Sequence, residues 1–103
     1  MAEGASQERT FRITLAQLDF TVGDIAGNTA RIVETIAGAH ELGSDLVVFP
    51  ELAVCGYPPE DLLLRPSFLA ANQEAIDAIA AGTAGIAAVV GFAHREAGEL
   101  YNA

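Results

Sequence analysis

Apolar residues follow two different spacings along the chain, and the changes in spacing predict alternating strands and helices. Short apolar runs rich in β-branched residues predict strands over 11–19, 46–49 and 86–92. Between them, apolar residues recur at three- and four-residue steps, which predicts one helix ended by Gly43 and another starting at Pro66. The first run does not alternate cleanly, which favours a strand covered on both faces. The order strand, helix, strand, helix, strand predicts an α/β fold of right-handed βαβ crossovers with parallel strands.

Weaker local signals add detail to this pattern. Asp24 and Asn28 are alternative caps for the first helix, and residues 60–64 are predicted to form a single helical turn. Gly98 marks a turn before 99–103, which resembles the opening of another strand. Because domains rarely end inside a strand, this pattern predicts the front part of a larger α/β domain.

Composition and charge exclude several classes of function. The net charge is −9, with five scattered arginines and no lysine, so a nucleic-acid surface is not expected. No apolar run approaches the roughly 20 residues that a membrane span requires. Residues 1–10 are polar and lack the apolar segment of a secretory signal, and they are predicted to be a flexible leader. The single cysteine, Cys55, cannot form an internal disulfide and fits a reducing compartment, so a cytoplasmic protein is expected.

One carboxylate stands where open α/β folds carry their chemistry. Glu51 comes directly after the predicted buried strand 46–49, and Pro50 and Gly56 hold the following loop out of regular structure. This position indicates a functional carboxylate at the carboxyl end of a strand. The alternative is a loop carboxylate that merely faces solvent.

Four short motifs occur in order along residues 11–103. They are Ala-Gln at 16–17 with Val-Gly-Asp at 22–24 and Asn28, Phe-Pro-Glu-Leu at 49–52, Cys-Gly-Tyr-Pro-Pro-Glu-Asp-Leu-Leu at 55–63, and Leu-Tyr-Asn-Ala at 100–103. With these motifs the chain resembles the N-terminal part of a nitrilase-superfamily (carbon–nitrogen hydrolase) domain. The third motif is the most specific, and it is similar to the glutaminase domain of glutamine-dependent NAD synthetases.

The resemblance implies a nitrilase-like α-β-β-α sandwich, of which residues 11–103 form only the first strands and helices. It also implies a Glu-Lys-Cys triad that cleaves amide or nitrile bonds, with Glu51 matching the glutamate as general base and acid. The triad lysine and cysteine would lie beyond Ala103, and the chain has no lysine. By this resemblance the segment alone is expected to be inactive.

The resemblance further implies a function for an intact protein. Glutamine would be hydrolysed to glutamate and ammonia, and a further domain would use the ammonia in ATP-dependent NAD synthesis with magnesium. No cofactor is expected in the present segment, and a homo-oligomer is expected for the intact protein. Two alternatives stay open: a stand-alone amidase of the same superfamily, and a non-catalytic module that self-associates through its open sheet edge. An isolated fragment is expected to expose apolar helix faces and to aggregate.

The remaining candidate residues have competing interpretations. Cys55 is a tempting nucleophile, but a lone cysteine among apolar neighbours is usually a small buried side chain. Tyr57 follows Glu51 on the same loop and is a candidate to line the amide pocket; the alternative is a packed tyrosine with its hydroxyl bonded locally. His40 suits the end of a helix, and His94 with Arg95 is expected at the surface. No histidine, cysteine and carboxylate have metal-ligand spacing, and the glycines between 82 and 91 form no phosphate-binding fingerprint.

Overall fold

Residues 10–103 are described by the structure, a computed structural model. The predicted flexible leader, residues 1–10, lies outside the described residues apart from Thr10. The elements in chain order are β1 (Ile13–Leu15), α1 (Ile25–Glu41), β2 (Leu46–Val48), a 3₁₀ helix (Glu60–Leu64), α2 (Pro66–Ala81), β3 (Ala87–Val89), β4 (Ala93–Glu96) and β5 (Glu99–Asn102).

Strands β1, β2 and β3 form a parallel sheet in that order, with β2 in the middle. The predicted α/β fold with parallel strands is therefore confirmed. All three strands are shorter than the predicted runs 11–19, 46–49 and 86–92. The hydrogen bonds between the strands stop near Pro50, which follows β2 and has no N–H to donate. The last bonds of the sheet run from Ala16 N to Val48 O at 2.9 Å and from Phe49 N to Val89 O at 3.0 Å.

Both helices begin and end at residues that the sequence marks. Asp24 caps α1 by accepting a hydrogen bond from Gly27 N at 3.0 Å, and Gly43 follows the helix with a φ of +84°. Pro66 is the first residue of α2, where its missing N–H costs nothing. The alternative cap, Asn28, was wrong, because this residue lies inside α1 and is buried.

An antiparallel hairpin of β4 and β5 follows the parallel sheet. Its turn residues, Ala97 and Gly98, both have positive φ values (53° and 83°), as a tight two-residue hairpin turn requires. The turn and the second strand agree with the prediction. Strand β4 was missed because its sequence, Ala-His-Arg-Glu, lacks β-branched residues. Arg95 is exposed as expected, whereas His94 is half-buried.

The core lies between one face of the parallel sheet and the two helices. Its buried apolar residues are Ala16, Ile32, Ile36, Ala39, Val47, Phe49, Ala53, Val54, Ala75, Ile79 and Ile86. The opposite face carries Ile13, Leu15 and Val89, whose exposed fractions are 53%, 66% and 53%. Among residues 10–103, therefore, nothing covers the second face of the sheet, contrary to the expectation for the first strand. Within the same residues, no helix is long and apolar enough to cross a membrane.

Candidate active site

Glu51 lies in the turn after β2, at the carboxyl end of the central strand. Its side chain is exposed, and Oε2 accepts a hydrogen bond from Nδ2 of Asn102. The next residue, Leu52, has a left-handed φ of 50° and is buried beside Cys55 and Ala93 in a small apolar cluster. The predicted position of Glu51 is thus confirmed, and its chemical role stays a prediction.

Gly91 brings the chain after β3 into direct contact with the Glu51 turn. A Cβ atom at this position would lie 2.6 Å from Leu52 N and 3.3 Å from the carbonyl carbon of Glu51. The carbonyl of Gly91 also accepts a hydrogen bond from Val54 N at 3.2 Å. Only glycine fits this approach without a backbone shift, so the turn that carries Glu51 is held against the end of β3.

Asn28 joins the Glu51 turn to the loop before α1. Its Nδ2 donates to the carbonyl oxygens of Thr21 (2.8 Å) and Val54 (3.0 Å), and its Oδ1 accepts from Thr21 N at 3.0 Å. A direct backbone bond between the loop before α1 and the Glu51 turn runs from Gly23 N to Cys55 O at 2.8 Å. Without the amide, Thr21 N and Val54 O would lose their partner, whereas Thr21 O would keep its bond from Asp24 N.

Cys55 is fully buried in the apolar cluster that contains Leu52, Leu69 and Ala93. Its thiol donates a long hydrogen bond, 3.8 Å, to the carbonyl of Leu52. Burial raises the pKa of the Cys55 thiol, because desolvation disfavours the thiolate. A buried thiol with a raised pKa is a poor nucleophile, which supports the interpretation of Cys55 as a packing residue.

Tyr57 is 63% exposed and follows Gly56 on the loop that begins at Glu51. Within residues 10–103 its ring is not buried, so these residues do not provide the packing that the alternative interpretation of Tyr57 requires. Its predicted place in an amide pocket stays a prediction.

A small cleft of about 180 Å³ opens beside the carboxylate site. Its lining is mostly apolar and includes Leu52, Leu63, Leu100 and Asn102. The same Asn102 donates to Glu51, so the cleft lies next to the carboxylate.

Two further candidate features can be placed. His40 lies in the last turn of α1, where a cation would interact favourably with the helix dipole, as the sequence indicated. In the part of the chain that the structure describes, no three His, Cys, Asp or Glu side chains are grouped so that they could hold a metal ion.

Asn102 is the site residue to which sequence analysis gave no role. It stands in the motif at 100–103, but its contact with Glu51 joins residues 51 positions apart. The contact depends on the hairpin of β4 and β5, whose first strand the sequence did not indicate. A polar residue within a recognised motif was the only available signal.

Comparison with known proteins gives one family. The family model described as carbon-nitrogen hydrolase matches residues 12–103. A glutamine-dependent NAD(+) synthetase of Xanthomonas campestris pv. campestris is 54% identical over 104 residues, which cover 100% of this chain and 19% of that protein. A synthetase of the same name from Thermotoga maritima is 44% identical and matches 92% of this chain and 17% of its own length. The chain thus spans less than a fifth of these relatives.

A solved structure agrees with the sequence relatives. The crystal structure of a glutamine-dependent NAD(+) synthetase from Cytophaga hutchinsonii matches 91% of this chain and 16% of its own, with a TM-score of 0.86 and 32% identity. The nitrilase-like fold expected from the sequence is therefore confirmed for this segment.

Proposed function

Because the chain belongs to the carbon–nitrogen hydrolase family, we propose that it forms the part of a glutaminase domain that carries the general base. The observation that carries the proposal is Glu51, an exposed carboxylate on a turn fixed at the carboxyl end of the central strand. The high identity to glutamine-dependent NAD(+) synthetases supports glutamine as the substrate.

In the proposed reaction Glu51 moves a proton twice. Its carboxylate first accepts the proton of a cysteine thiol, so that the thiolate attacks the amide carbon of glutamine. Glu51 then returns the proton to the departing ammonia, and water hydrolyses the resulting thioester to glutamate. The cysteine, and the lysine that would stabilise the oxyanion, are implied by the family resemblance and come from outside this chain. We therefore propose that these 103 residues alone are inactive.

The ammonia would serve ATP-dependent NAD synthesis elsewhere in a longer protein. The described residues do not fit ATP with magnesium: they contain no grouped metal ligands, and the glycines at 82–91 form no phosphate-binding loop. No step through ATP is assigned to this segment. A cytoplasmic location and a homo-oligomeric assembly remain part of the proposal.

The first test replaces Glu51 in the full-length protein. Glu51→Gln should reduce glutamine-driven NAD synthesis by at least about 100-fold, because the amide cannot accept the thiol proton. Synthesis driven by added ammonia should be unchanged, since it bypasses glutamine hydrolysis. Glu34→Gln, an exposed residue of α1, is the matched control and should behave as wild type. Undiminished glutamine turnover in Glu51→Gln would refute the assignment.

A stand-alone amidase is the second candidate. It is supported by the crystal structure of an amidase from Nesterenkonia sp., which matches 84% of this chain with a TM-score of 0.70 and 30% identity. These values are lower than those of the synthetase structure. The full-length protein distinguishes the two candidates: an amidase would release ammonia from an amide without forming NAD from its acid precursor and ATP.

A further inference from the structure

We propose that Asn102 is a positioning residue that fixes the orientation of the Glu51 carboxylate for proton transfer. The inference rests on the proposed role of Glu51 as general base. Its starting point is the hydrogen bond from Nδ2 of Asn102 to Oε2 of Glu51. The bond orients the carboxylate and occupies one acceptor site of Oε2, so Oε1 and the second lone pair of Oε2 can still receive the thiol proton.

Asn102 is itself held in place through the residue next to Glu51. It is the last residue of β5 and pairs with Ala93 in β4. Ala93 is buried and packs in the same apolar cluster as Leu52. The contacts therefore form a closed ring from Glu51 through Leu52, Ala93 and Asn102 back to the Glu51 carboxylate.

The backbone beyond this ring is also paired. Phe92 N donates to Ala103 O at 2.9 Å, and Ala103 N donates to Phe92 O at 3.0 Å. These two bonds lie directly beyond the pair of Ala93 and Asn102. Ala93 anchors β4 in the apolar cluster, and the hydrogen bonds between β4 and β5 hold β5 in place. The backbone of Asn102 is therefore fixed where its side-chain amide contacts Glu51.

A side-chain amide suits this task chemically. It donates a hydrogen bond at every pH at which the enzyme works, and it neither takes nor gives up a proton. It can therefore hold a carboxylate without competing for the proton that the carboxylate must transfer. A histidine or a carboxylic acid at position 102 would titrate and exchange protons with Glu51.

The test removes the donor in the full-length enzyme without adding a group that titrates. Asn102→Leu replaces the amide by an apolar side chain of similar size, and Asn102→Ala removes the amide altogether. Both should lower kcat for glutamine hydrolysis roughly 10- to 100-fold, because a misaligned base loses proton-transfer efficiency. KM should stay within about twofold, since the bond that is removed joins Asn102 to Glu51 and not to glutamine. Asn102→Gln keeps a donor on a longer arm and should recover part of the lost kcat.

Controls distinguish the positioning role of Asn102 from a purely structural role, and distinguish it from the proposed role of Glu51. Glu99→Gln, on the same strand and exposed, should leave kcat unchanged. Wild-type kcat in both donor-less variants, or a raised KM with unchanged kcat, would overturn the inference. If Glu51→Gln is inactive with glutamine while Asn102→Ala and Asn102→Leu are fully active, only the role of Asn102 fails. If Glu51→Gln is active, the proposed function fails first.

Discussion

At Gly91 the absence of a side chain decides how closely the chain after β3 approaches Glu51. The hypothetical Cβ lies 2.6 Å from Leu52 N, which is backbone and cannot rotate away. The lack of a side chain at Gly91 therefore helps to position the turn that carries Glu51, in addition to the hydrogen bonds of that turn. A methyl group at position 91 would have to move the Glu51 turn.

We expect Gly91→Ala to impair both stability and glutamine hydrolysis in the full-length protein. Overpacking against backbone should lower the free energy of unfolding by about 1–3 kcal/mol, and the displaced turn should reduce kcat. Thermal unfolding and a glutaminase assay measure the two effects. Gly38→Ala is the matched control: a Cβ there meets nothing within 4 Å, and alanine inside a helix should add about 0.5–1 kcal/mol. Equal behaviour of the two variants would contradict the steric argument.

Among the elements, the start of α1 and the Glu51 turn are connected in part by one side chain. Asn28→Ala would leave Thr21 N and the buried Val54 O without their partner, whereas Thr21 O would keep its bond from Asp24 N. Because an unsatisfied buried group is costly, we expect a loss of about 1–3 kcal/mol in the free energy of unfolding. Denaturant unfolding of the full-length protein tests this, with Glu34→Ala on the exposed side of α1 as control. A loss no greater than that of the control would show that water replaces the amide.

The elements also show what the sequence can and cannot predict. Helix α2 was predictable because Pro66 and the apolar spacing are local signals. The lengths of the strands were not predictable from local signals, since pairing depends on where the partner strand begins and ends; at the carboxyl ends it stops near Pro50. Asparagine is common at helix caps, so the sequence favours Asn28 as a cap, whereas its bonds to Thr21 and Val54 depend on tertiary packing. For the same reason Glu51 could be placed at a strand end, but its partner Asn102 could not be identified.

On the scale of the whole molecule, one face of the parallel sheet carries uncovered apolar surface. The sequence led us to expect such surface on the helix faces; Val33 of α1 is 40% exposed, but the helices otherwise pack on each other and on one side of the sheet. Ile13, Leu15 and Val89 remain exposed on the other side. A parallel sheet normally has both faces covered, so this face is the part of the segment most in need of a partner.

We therefore expect the isolated 103-residue chain to self-associate. The double substitution Ile13→Thr with Leu15→Thr should reduce association, because it removes apolar area from the open face. Val33→Thr with Leu42→Thr, both exposed on or beside α1, should have a smaller effect. Sedimentation velocity over a range of concentrations measures the change. If the helix variant reduces association as much as the sheet variant, the open face is not the contact.

The ring that joins Glu51 to Asn102 also has a consequence for the order of folding. The hairpin of β4 and β5 is local and can form rapidly, but its contact with Glu51 closes a loop of about 50 residues, which carries an entropic cost. We expect the carboxylate to be aligned after the parallel ladder has formed, so that a partly folded chain has no oriented base. NMR of the Asn102 side-chain amide during refolding would then show its contact with Glu51 forming later than the protection of Ala16 N. Simultaneous formation would mean that the sheet and the hairpin fold as one unit.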